Sequence, residues 1–175
     1  MERFKQKITQ YHVVLCGHCI LEDGLRRRLR ESGVCKPDVT RVPAGAGSLA
    51  SIPVPCFAET ILEASAKYIA MHQVEAICFF NHQQCGAYTH EGHCFPIDRL
   101  TIKEHDFHLH ELKIAEKRLR EFLDSRGFPN IRLHGGFIWI DPTDVLHIDW
   151  LVPPPNPKQF SFCDDHNSTI KLIAS

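Results

Sequence analysis

At 175 residues, with 43% hydrophobic and 23% charged residues, the chain has the make-up of one globular domain, residues 1–175, with a proper core. A net charge of -1 supplies no basic field for nucleic acid or an anionic membrane, and no apolar stretch is long enough to span a bilayer. Met1–Lys5 is not followed by a signal-peptide core, so a cytoplasmic protein is expected.

Residues 1–10 are polar and read as a short N-terminal arm. Tyr11 to Leu15 is a buried strand, and Cys16-Gly17-His18-Cys19 follows at its tip. Glu22 to Ser32 spaces Leu25 and Leu29 four apart among charges and ends at Gly33, the pattern of an amphipathic helix with a left-handed stop. Its arginines, Arg26, Arg27, Arg28 and Arg30, make the only basic run and suit a solvated helix face. Pro37 to Val42 is a short strand that leads into Ala44-Gly45-Ala46-Gly47-Ser48. That loop lacks the P-loop lysine and the full dinucleotide fingerprint, so it reads as a tight turn approaching another part of a site.

Phe57 to His72 brings Phe57, Ile61, Ser65, Tyr68 and Ile69 near one face, with Leu62 beside them, and is a second amphipathic helix. It feeds an apolar strand, Ala76 to Phe80, giving a right-handed strand–helix–strand unit. At the end of that strand stands Asn81, then His82-Gln83-Gln84-Cys85. Residues 88–101 read as irregular, and Lys103 to Arg126 as a long helix with Phe107, Leu112, Ala115, Leu119, Phe122 and Leu123 inward, stopped by Gly127. Ile131 to Ile140 is a strand broken by Gly135-Gly136. Asp141-Pro142-Thr143-Asp144 turns the chain into Val145 to Trp150 as an antiparallel hairpin. Residues 151–175 open with Pro153, Pro154, Pro155 and Pro157 and read as an extended tail suited to lying over a neighbouring subunit.

Two strand tips thus carry soft donors: C-x-x-C (or C-x-H) at Cys16, His18 and Cys19, and H-x-x-C at His82 and Cys85. Each is a zinc-ligand spacing, and open α/β sheets place their sites at such tips. Eight cysteines without a signal peptide read as reduced thiols; Cys35, Cys56, Cys78, Cys94 and Cys163 are taken as spectators.

The order of these pieces, from about Val13 to Ile148, resembles the β-class carbonic anhydrases. The matching residues are Cys16 at the first strand tip, Arg41 with the Ala44-Gly45 turn, and the helix into a buried strand. His82-Gln83-Gln84-Cys85-Gly86 and the run Leu133-His134-Gly135-Gly136-Phe137 complete them. The resemblance implies an α/β fold, a twisted, mostly parallel sheet flanked by helices with a C-terminal antiparallel hairpin. It also implies a homodimer or dimer of dimers, and Zn2+ held by Cys16, His82 and Cys85, with a zinc-bound hydroxide that reversibly hydrates CO2 to bicarbonate, or acts on a close analogue such as COS or CS2. The chain departs from the family at one motif. Where the family has C-x-D-x-R, this sequence has Cys16-Gly17-His18-Cys19-Ile20, so His18 and Ile20 replace the Asp-Arg dyad that orients the zinc-bound water.

Two readings of the site follow. In the first the fourth position is open, His18 orients a water, and hydration is weak or altered. In the second His18 or Cys19 is the fourth ligand, and the closed zinc site serves a structural or binding role without catalysis. A third, thiol redox through Cys16 and Cys19, competes with metal binding. Gln84, and Gln83 beside it, are candidates to hydrogen-bond a metal-bound ligand. His90 and His93 are candidate proton relays, and His134 equally suits a satisfied core position. Of His105, His108 and His110, only the first two share a helix face, which reads as an exposed pair.

Overall fold

The computed structural model describes residues 10–17, 22–52, 54–96 and 100–154. In chain order these form β1 (Tyr11–Cys16), α1 (Glu22–Glu31), β2 (Asp38–Val42), α2 (Pro55–His72), β3 (Ala76–His82), α3 (Gly86–His90), α4 (Ile102–Ser125), β4 (Arg132–Ile140) and β5 (Leu146–Trp150). The N-terminal arm, His18, Cys19, Ile20 and the proline-rich tail beyond residue 154 lie outside the described residues.

The strands form one sheet in the order β2-β1-β3-β4-β5. The first four run parallel, and β5 returns antiparallel to β4 through the Asp141–Asp144 turn. β1 and β3 are buried along nearly their whole lengths, as strands covered on both faces must be. Their side chains alternate. Val14, Ile77 and Phe79 join α2 and α4 on one face, while Tyr11, Val13, Leu15, Ala76, Cys78 and Phe80 meet Leu25 and Leu29 of α1 on the other. No described helix is long and apolar enough to cross a membrane.

Local signals account for most boundaries. Pro55 opens α2 at a position that has no N–H to lose. Gly33, at φ 83, and Gly127, at φ 82, stop α1 and α4 in the left-handed region. Two expectations fail. The stretch after Cys85 is helical from Gly86 to His90 before it becomes irregular. Gly135-Gly136 does not break β4, which pairs with β3 straight through both glycines. Their reason is space: a Cβ on Gly135 would stand 2.9 Å from the Phe79 ring, and one on Gly136 2.7 Å from the Phe80 ring. The glycines let two consecutive phenylalanines lie flat against the neighbouring strand, one on each face.

At the far end of the sheet from the cysteines, His12 is fully buried. Nε2 pairs with the Thr40 hydroxyl at 3.0 Å and Nδ1 with that of Ser65 at 3.2 Å. Burial pushes its pKa down to about 4, against a smaller opposing pull from Asp38. The neutral ring is therefore the folded form. Its stabilisation is complete above the ordinary histidine pKa and is lost as pH falls from there toward 4. Between pH 7 and 5 this should cost about 2 kcal/mol of unfolding free energy. Denaturant titrations at the two pH values should show the drop in the native chain and a flatter dependence in His12→Gln; equal slopes would refute it.

Candidate metal centre

The chain runs from β1 to β2 on one side and to β3 on the other. The tips of β1 and β3 therefore flank the point where the winding reverses, the crevice in which open α/β sheets hold their ligands. Cys16 ends β1 and His82 ends β3. After His82 the chain turns through Gln84, held at φ 57, so that Cys85 folds back beside it. Cys16, His82 and Cys85 offer three ligand atoms that all lie within 4.8 Å of one another. They are the one such group of three or more among the described residues.

Its dimensions fit a metal. The Cys16 and Cys85 sulfurs are 3.9 Å apart. A tetrahedral zinc with Zn–S bonds of about 2.3 Å would separate two thiolates by roughly 3.8 Å. The Gln83 carbonyl lies 2.8 Å from His82 Nδ1 and can only accept, so Nδ1 carries the proton and Nε2 the lone pair. That hydrogen bond fixes the tautomer and the ring plane, as backbone carbonyls do for metal-binding imidazoles. Without a cation, the Cys85 thiol has its pKa raised by the hydrogen bond with Cys16, then by burial and by the Cys16 charge. The Ala87 and Tyr88 N–H groups pull the other way. A divalent ion would reverse that balance, since a coordinated thiol is deprotonated outright.

The neighbouring loops are shaped around these tips. Ala44 (φ 63) and Gly45 (φ 54) turn the chain back against them: a Cβ on Gly45 would lie 2.6 Å from the Phe80 carbonyl oxygen and 2.8 Å from the Cys16 nitrogen. The glycine-rich loop is thus the tight turn its residues suggested, continued as a 3-10 helix, Gly45–Leu49. Beneath it, Tyr88 takes a hydrogen bond from Asn81 at 3.0 Å and donates to Glu111 Oε2 at 3.3 Å, while Ser51 also donates to that carboxylate. A Cβ on Gly47 would lie 2.2 Å from the Tyr88 hydroxyl, so this glycine is the recess that admits the phenol.

Other named residues take different places. The Gln83 side chain accepts from Ile140 N–H at 3.2 Å and so ties the ligand loop to β4. Gln84 turns its side chain outward while its N–H bonds Glu104 Oε1 at 3.1 Å. His90 is exposed beside Glu91, and His93 packs against the Phe107 ring at 4.5 Å. His105 pairs with Asp149 at 3.1 Å and His110 is exposed. His134 is buried with Nδ1 3.1 Å from the Val152 carbonyl oxygen. Cys78 is fully buried, and Cys56 and Cys94 are exposed free thiols. Cys35, taken as a spectator, is disulfide-bonded.

The reading of His105 and His108 as an exposed pair fails at His108, which is 1% exposed and stacks on Phe137 at 4.7 Å. Burial, then the charges of His82, His105 and His93, push its pKa down to about 3. Glu104, one turn earlier, is 0% exposed, and burial raises its pKa. Neither Glu104 nor Glu111 was singled out from the sequence. The available signal was their spacing, since 104, 108, 111, 115 and 119 continue the face of Leu112, Ala115 and Leu119 back to the first turn.

The fold is that of the β-class carbonic anhydrases. The β-carbonic anhydrase isoform I of Trichomonas vaginalis superposes with a TM-score of 0.51 at 17% identity, over 88% of each chain. A carbonic anhydrase of Streptococcus mutans gives 0.46 at 14% identity, over 84% of each. One of two tetrameric β-carbonic anhydrases of Sordaria macrospora gives 0.43 at 16% identity, over 83% of this chain and 81% of that one. No family model matches the sequence, and no curated protein does either.

Proposed function

We propose that the chain binds one zinc ion through Cys16, His82 and Cys85 and hydrates CO2, or a close analogue such as COS or CS2, with activity weakened or altered by His18 and Ile20. The observation that carries this reading is the convergence of three soft donors within 4.8 Å at the switch point of a β-carbonic-anhydrase-like sheet. Zinc there would act as a Lewis acid that brings the pKa of a water toward neutrality for attack on a small electrophile. The chain supplies the rest. Two thiolates would balance the ion's charge, the bond to the Gln83 carbonyl fixes the His82 tautomer that leaves Nε2 as the donor atom, and the Ala87 and Tyr88 N–H groups hold the Cys85 sulfur. In the second reading His18 or Cys19 closes the site, and the protein is a zinc-bearing binding or structural module; the C-x-x-C spacing favours it. A homodimer, or a dimer of dimers, is proposed for either reading, and light scattering that finds a monomer at micromolar concentration would exclude it.

The missing dyad separates the two readings. By the family resemblance, His18→Asp alone should supply a carboxylate able to ligate the metal. Adding Ile20→Arg should draw that carboxylate into a bidentate pair and leave it free to orient a water. The double variant should exceed both the native chain and the single variant in CO2 hydration by about 10²-fold, the scale on which modest misplacement slows a reaction. Stopped-flow rates on zinc-loaded protein decide it. A fully active native chain would show the dyad to be dispensable, and an inert double variant with zinc intact would favour the closed site.

A further inference from the structure

Thr101-Ile102-Lys103-Glu104 has the sequence of a capping box, in which the third-position carboxylate ordinarily returns to the N–H of the cap residue. Half of that box is present: Thr101 Oγ1 accepts from Glu104 N–H at 3.1 Å. The carboxylate goes elsewhere. Its Oε1 crosses to β3's ligand loop and accepts from Gln84 N–H at 3.1 Å, between His82 and Cys85. Gln84 sits at φ 57, a strained conformation for a residue with a side chain. That conformation is what folds Cys85 back toward His82.

Glu104 is 0% exposed, and its second oxygen makes no hydrogen bond with the protein. His108, one turn on, has its Nε2 4.0 Å from Glu104 Oε1, and neither of its ring nitrogens makes a hydrogen bond. A buried carboxylate with one hydrogen bond is an expensive way to begin a helix, because an exposed capping box satisfies the same groups in water. Its position over the ligand loop gives it another task.

We infer that Glu104 is a positioning residue that sets the bite of the His82–Cys85 pair by pinning Gln84 in its left-handed turn. The inference rests on the metal-binding reading above and adds to it a support from a different helix. The first turn of α4 and the ligand loop then move as one unit, and the positive end of the helix dipole helps hold the carboxylate there. His108, stacked flat on Phe137, packs behind it.

The test is cobalt(II) and zinc affinity of the full-length chain, measured by competition with a chelator, together with the cobalt absorption spectrum. Glu104→Ala should bind either metal 10- to 100-fold more weakly, the usual effect of losing an outer support, and with a shifted cobalt spectrum. Glu104→Gln, whose side-chain carbonyl still accepts from Gln84 N–H, should stay within about threefold of the native affinity. Ser65→Ala serves as the control, because it loosens a buried hydrogen bond at the opposite end of the sheet and should leave metal affinity alone. Native affinity and spectrum in Glu104→Ala would overturn the inference, as would an equal loss in Ser65→Ala or in Glu104→Gln. If the alanine variant does not fold, Glu104→Asp shortens the reach by one methylene and should lose at least tenfold; native affinity there would overturn it too. A native chain that takes up neither metal ends the metal-binding reading itself, and this inference with it.

Discussion

Cys85→Ser will purify with less than a tenth of the zinc that the native chain carries after expression with the metal supplied. The serine hydroxyl is a far poorer zinc ligand than a thiolate, and only Cys16 and His82 would remain. Outer-shell changes cost 10- to 100-fold in metal affinity, and removal of a ligand should cost more. Because ligand binding and folding share one free energy, the metal-loaded native protein should also melt above the variant, while the two apoproteins should melt within a few degrees of each other. Elemental analysis and paired melts, with and without chelator, give the measurement. A variant that keeps a full equivalent of zinc would remove Cys85 from the ligand set.

Gly45→Ala is the substitution expected to damage the fold most. Two causes add. The residue sits at φ 54, where a side chain is disfavoured, and the new Cβ would meet the Phe80 oxygen at 2.6 Å and the Cys16 nitrogen at 2.8 Å. Both obstacles are backbone atoms of central strands and neither can rotate away. Strain of this kind costs about 3 kcal/mol, which for a chain of this size lowers the melting midpoint by roughly 6–12 °C. The displaced Cys16 should weaken metal binding in the same variant. Differential scanning calorimetry of the chelated protein tests the first effect alone, and an unchanged midpoint would show that the turn relaxes without penalty.

The sheet and the strand-tip donors were legible because the signals involved are short-range. A run such as Ala76–Phe80 is apolar at every position, as a strand covered on both faces must be, and the polar residues begin where the strand meets the crevice. His82 and Cys85 are three apart, so a single turn brings them together. That a second donor group 69 positions away belongs with them was legible from its place at another strand tip, and the resemblance singled out Cys16 within it.

What escaped the sequence was polar and buried. Glu104, His108 and Glu111 look like solvated helix residues, because carboxylates and imidazoles are usually found in water. They are inside because each faces a partner on another element: the Gln84 N–H, the Phe137 ring, the Tyr88 and Ser51 hydroxyls. Gly135-Gly136 misled for the opposite reason. Glycine pairs weaken strands when nothing needs the room, and here Phe79 and Phe80 need it.

The 69-residue separation of Cys16 from Cys85 shapes how the chain would come to hold a metal. His82 and Cys85 are close neighbours along the backbone and can meet an ion while the rest of the chain is still unfolded. Cys16 cannot: closing a loop of 69 residues costs roughly 4 kcal/mol in chain entropy, and only the alignment of β1 against β3 offsets it. Capture of an ion would therefore proceed in two stages, a loose local encounter followed by a clasp that closes only when the first strand has docked. Such a clasp would tie an early segment of the chain to its middle, so that opening either strand at its tip would release the ion.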